Sequence, residues 1–143
     1  MNNDTVKLLR ECNAGIKMGT NAFKKVLPRV KSNGMKREIE SCNTLHCQLG
    51  DRAHEMLKDI GADTKPPHAI ASAMSDVKIS MQLMMNESDA QVARLMTDGC
   101  NMGIKSLSHY MNEYKNASSG ARELADELIS SEDKLAVKLR QYL

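Results

Sequence analysis

Apolar side chains recur every three or four residues through most of this chain. Between Asp4 and Lys31 the stripe is Val6, Leu9, Ile16, Phe23, Leu27 and Val30, interrupted by the polar Asn13 and Thr20. That spacing predicts a helix, with Asp4 as its N-cap and Pro28 kinking its last turn. Ser32-Asn33-Gly34 predicts a short turn. A second stripe, from Met35 through Ile39, Cys42, His46, Leu49, Ala53 and Met56 to Ile60, predicts a helix closed by Gly61. Pro66 and Pro67 end that element, and residues 68–85 show Ile70, Met74, Val77, Met81 and Met84 at helical spacing. Ser88-Asp89-Ala90-Gln91 is a capping-box pattern that restarts a helix, running to about Lys115. Asn116–Gly120 predicts a turn, and residues 121–143 a final amphipathic helix carrying Leu124, Leu128, Leu135 and Leu139.

No segment reads as a strand. The pattern predicts one all-α domain over residues 1–143, an antiparallel four-helix bundle of two helical hairpins. The first hairpin spans about 4–61 and the second about 88–143, joined by a long helical crossover at about 68–85. Short turns place consecutive helices side by side and antiparallel. The sequence CNAGIK at residues 12–17 returns as CNMGIK at 100–105, once in the first helix of each hairpin. A pseudo-twofold relation between the hairpins is one account of this, and chance is the other. The second copy has one extra residue before its Cys-Asn pair, which predicts a single-turn π-bulge near Gly99.

Composition narrows the chemistry. At 143 residues the chain is long enough to bury a core. With one Phe, no Trp and 11 Met, that core is aliphatic and rich in thioethers. The net charge of +2 gives no argument for nucleic acid. No stretch has the length of a membrane span, and MNNDTVKLLREC lacks the apolar core of a signal peptide, so the expectation is a cytoplasmic protein with four reduced thiols. There is no CxxC pair, Gly-rich phosphate loop, nucleophile elbow or Ser/His/Asp arrangement. Cys47 and His54 lie two turns apart on one helix, too far to share a proton. His68 and His109 stand alone.

The segments LLRECNAGIKMG, LMTDGCNMGIKSLSHYMNEYK and KLAVKLRQYL resemble a group of small bacterial proteins of the ferritin-like superfamily, and the two-hairpin pattern resembles the superfamily over nearly the whole chain. The resemblance implies a place for a di-iron centre, where one Glu on each of two helices and a Glu-x-x-His on each of the other two point inward. In that register Asn13 and Asn101 stand where Glu is required. Asn43-Thr44-Leu45-His46 replaces one Glu-x-x-His, and Ser131-Glu132-Asp133-Lys134 replaces the other. Only His46 matches. Glu11, Glu40, Asp98 and Glu132 lie one to three residues away, and a one-residue shift turns a helix by about 100°. Asp51-x-x-His54 has no counterpart on the last helix. The expectation is that no di-iron centre forms and that Asn13, Asn43, His46, Asn101, Ser131 and Lys134 make a central polar layer.

Three functions compete on these residues. The leading expectation is a non-enzymatic structural or interaction protein, self-associating into a homo-oligomer through the crossover that carries Met74, Met81, Met84 and Met85. The second is a soft-metal protein in which Cys42 and His46, at i and i+4 on one helix, bind zinc or copper with Cys12, Cys100 or Met sulfurs. The third is a degenerate ferroxidase. Lys24, Lys25, Arg29, Lys31, Lys36 and Arg37 follow one another without an intervening acid, so one end of the bundle is expected to be basic and to suit an anionic partner. Without interleaved aromatics, a nucleic-acid groove is not supported.

Overall fold

The computed structural model describes residues 3–64 and 88–143. These form four α-helices: α1 (Asn3–Val26), α2 (Asn33–Asp59), α3 (Asp89–Glu113) and α4 (Ser119–Leu139). Short 3-10 turns follow α1 at Leu27–Arg29 and α4 at Arg140–Tyr142, and no strand occurs among the described residues. The expected crossover helix at 68–85, with its methionines and His68, lies outside the described residues.

Local chemistry explains the boundaries. The first α-helix stops at Val26 instead of kinking and continuing to Lys31, because Pro28 has no N–H to give the carbonyl four residues back. Asp4 sits inside the first turn and is not the cap. Ser32, expected in a turn, caps α2 by accepting the Met35 N–H at 3.2 Å. Ser88 caps α3 through Gln91 N–H at 3.1 Å, and Ser118 caps α4 through Ala121 N–H at 3.2 Å. Gly61 ends α2 with φ of 71°, a left-handed conformation that lets Ala62 N–H reach the Leu57 carbonyl at 2.9 Å. The expected π-bulge is not formed, and α3 is an uninterrupted α-helix. The extra residue therefore rotates the second repeat: Cys12 and Cys100 are both buried, but Asn13 is buried and Asn101 exposed.

Apolar faces from all four helices meet in two clusters. One holds Leu8, Leu9 and Ile16 of α1, Leu49 and Leu57 of α2, Leu107 of α3, and Leu124 and Leu128 of α4. The other holds Phe23 and Val26, Met35 and Ile39, Val92 and Met96, and Leu135 and Leu139. Thus α1 and α4 start at the first cluster, whereas α2 and α3 start at the second.

Polar ties fasten both ends. Near the first cluster, Asp4 accepts the Asn116 N–H at 3.0 Å and Thr5 Oγ1 accepts the Ser118 N–H at 2.8 Å. Near the second, the Asp89 carboxylate accepts Lys31 N–H at 2.8 Å and Ser32 N–H at 2.9 Å. Asp89 thus satisfies two loop donors while its charge sits favourably at the start of α3. Asp89→Ala is expected to cost about 2 kcal/mol, the scale of hydrogen bonds to a charged group, read as a lower denaturant midpoint with an unchanged slope.

Candidate functional site

Between the two clusters lies a level of residues that belong to neither, with contributions from all four helices. Gly19 lies between Ile16 and Phe23, His46 between Cys42 and Leu49, Gly103 between Cys100 and Leu107, and Glu132 between Leu128 and Leu135. The imidazole is 0% exposed and the carboxylate residue 7%. His46 Nε2 and Glu132 Oε1 are 3.6 Å apart. Neither His46 Nε2 nor Glu132 Oε2 has a hydrogen-bond partner among the described residues.

The two glycines account for how the pair fits. A methyl group on Gly19 would stand 2.9 Å from His46 Cδ2 and 3.1 Å from Nε2. On Gly103 it would overlap Glu132, 2.8 Å from its carboxylate carbon. The backbones of α1 and α3 therefore close directly on the pair. Phe23 adds an edge-on contact to the imidazole, with ring centroids 5.1 Å apart.

His46 Nδ1 lies 3.0 Å from the carbonyl oxygen of Cys42. A carbonyl only accepts, so Nδ1 carries a hydrogen and donates it. Nε2 then faces Glu132 either with a lone pair or with a second proton. The Cys42 thiol is 3.6 Å from Nδ1 and donates to the Ser131 carbonyl at 3.8 Å. Burial pushes the Cys42 thiol up to about 12, Glu132 adds to the rise, and the contact with Ser131 opposes it. Burial likewise raises Cys12 to about 12, helped by Glu11 and Glu132, and raises Cys100 with help from Glu132 and Cys42. All three are neutral thiols at physiological pH, which is the state of small buried hydrophobes. Cys47 is the exposed cysteine. A thiol reagent at pH 8 is expected to modify about one cysteine per native chain and all four after denaturation. Rapid labelling of a second thiol in the folded protein would contradict this burial.

The expected polar layer is only partly assembled. His46, Ser131 and Asn13 are buried, Asn43 is half-buried, and Asn101 and Lys134 are exposed. Asn13 turns outward from the pair, its amide donating to the Thr64 carbonyl at 3.0 Å, beside the Arg10–Asp63 ion pair at 2.9 Å. It anchors the chain leaving α2. Ser131 returns its hydroxyl to Leu128 O at 2.8 Å, leaving the neighbouring Glu132 as the inward acid. Glu132 was a near miss in the sequence. It is four residues after Leu128 and three before Leu135, so Ser131 and Glu132 divide the stripe between them.

Cys42 Sγ and His46 Nδ1 lie 3.6 Å apart on the buried face of α2, with Nδ1 also 3.0 Å from the Cys42 carbonyl and Nε2 toward Glu132. Among the described residues no three His, Cys, Asp or Glu side chains form a metal-ligand group. Asp51 is exposed and His54 half-buried, and the exposed His109 pairs with Glu113 at 3.2 Å. A groove of about 200 Å³ between α2 and α4 is lined by Cys42, Ser131, Lys134 and Lys138, among others. A larger recess, about 550 Å³, lies by His54, Lys58 and Asp63 at the end of α2, outside the core. In the basic stretch Lys24, Arg29, Lys31 and Arg37 are exposed and Lys25 and Lys36 half-buried. Among the described residues no helix is long and apolar enough to cross a membrane. No protein-family model, curated protein or solved structure matches the chain.

Proposed function

We propose that the chain is a ferritin-like antiparallel bundle that works by association and not by metal-centred oxidation. What supports the architecture is the order of ends: α2 and α3 run opposite to α1 and α4, and the chain departs α2 near Asn13 but enters α3 beside Lys31. The observation that carries the function is the closed middle of the bundle. Two-metal centres hold their ions about 3.5–4 Å apart within a ring of carboxylates. Here one acid and one imidazole occupy that level, and the backbones at Gly19 and Gly103 press against them. A ferroxidase core would have to push α1 and α3 outward.

The protein is accordingly a structural or interaction module that associates with copies of itself in the cytoplasm, its basic end, with Lys24, Lys31 and Arg37 exposed, suiting an anionic partner. Lys36 and Arg37 at the start of α2 oppose the helix dipole, which favours a role for them outside the helix. Anaerobic ferrous titration followed by oxygen is expected to give no stoichiometric ferric product, and light scattering behind size exclusion to give a mass above one chain. Ferric turnover would overturn the first half of the reading, and a strict monomer the second. Elemental analysis of protein purified without chelator tests the soft-metal alternative, with no stoichiometric zinc or copper expected.

A further inference from the structure

We infer that His46 and Glu132 hold a single proton between them and act as a pH-sensitive lock joining α2 to α4 at the level where all four helices touch. Charge neutrality inside an apolar interior leads to this conclusion. With Nδ1–H donated to the Cys42 carbonyl, removing every further proton leaves a carboxylate facing an imidazole lone pair, 3.6 Å apart, with net charge −1. Two added protons leave an imidazolium beside a neutral acid, with net charge +1. One proton gives zero, either as imidazolium with carboxylate or as imidazole with carboxylic acid. An uncompensated charge at a position shut off from solvent is costly, so the folded state selects the one-proton form.

Among the described residues named by contact or electrostatics around the pair, none takes that role. The titratable neighbours are Cys12 from α1, Cys42 from α2 and Cys100 from α3, all neutral thiols with raised values. From α4 the neighbour is Ser131, whose hydroxyl is committed to Leu128. Gly19 and Gly103 bring only backbone. A proton is also the cation that fits without displacing those backbones.

Stability should therefore peak in a window and fall on both sides. On the alkaline side the folded pair loses its proton, and on the acidic side it gains a second. Where folded and unfolded chains differ by one bound proton, the unfolding constant changes by up to about tenfold per pH unit. The test compares denaturant midpoints of the native sequence and Glu132→Gln across about pH 3–9, since the acid limb begins only below about pH 4.3, where the unfolded glutamate protonates. The native chain is expected to show the two-sided fall, and Glu132→Gln, whose amide is neutral at every pH, a flattened profile on the alkaline side. Nitrogen-15 spectra of the histidine rings in the unsubstituted protein give an answer even if the variant does not fold. A His46 Nε2 bonded to or sharing a proton at neutral pH supports the lock. A free, unbonded Nε2 lone pair at neutral pH would overturn it, as would identical pH profiles for the two proteins.

Discussion

His46→Leu is expected to destabilise the bundle by about 3–5 kcal/mol, the usual result of removing one partner from a buried charged pair. The cause is not lost packing, because leucine is close to imidazole in bulk and the apolar wall by Phe23 would accept it. The cost comes from Glu132, which keeps its carboxyl group in the interior with nothing to balance it. Adding Glu132→Leu to the same chain is expected to restore much of the loss, since an apolar pair of similar volume often equals or exceeds a buried ionic one. Urea unfolding of the four members of this cycle measures the coupling directly. A single-substitution cost below about 1 kcal/mol would mean that the carboxylate escapes to water.

The second large effect separates two glycines that look alike in sequence. Alanine ordinarily stabilises a helix interior by about 1 kcal/mol relative to glycine. At Gly99 the new methyl meets no described atom within 4 Å, so Gly99→Ala is expected to gain about 0.5–1 kcal/mol. At Gly103 the methyl overlaps the Glu132 carboxylate and comes within 2.8 Å of its carbon. Gly103→Ala is expected to lose about 1–3 kcal/mol, the range for overfilling a packed core. Thermal or denaturant unfolding of the two variants should shift in opposite directions. Equal shifts would show that Glu132 can step aside at little cost.

Most of the helical arrangement is legible in the stripes, since Leu9, Ile16, Ile39, Leu49, Leu124 and Leu135 each fall on the buried face they predict. Where the pattern misleads, local chemistry decides. Pro28 ends α1 a turn early, and serine hydroxyls at 32 and 118 set helix starts that spacing alone places a few residues later. The site is less legible. His46 is found because it sits on an apolar stripe, but its partner is not, since a fixed separation between the two repeats assumes the hairpins share one register. They do not: Asn101 is exposed where Asn13 is buried, and on α4 Ser131 and Glu132 are both buried, with Glu132 the one facing His46. Gly19 and Gly103 mark the level of the pair, yet a glycine inside a helix shows its reason only when the facing side chain is known. Asn13 belongs to a third task, holding the departing chain, which no periodicity encodes.

Among the described residues, a polar storey inserted between two oily ones divides the interior of the bundle into separate rooms, with the helical rods passing through both. Leu57 and Leu124 in one room share no wall with Met35 and Leu139 in the other. The amides of the two ends should exchange with solvent on different timescales, with the change-over falling near residues 19, 46, 103 and 132.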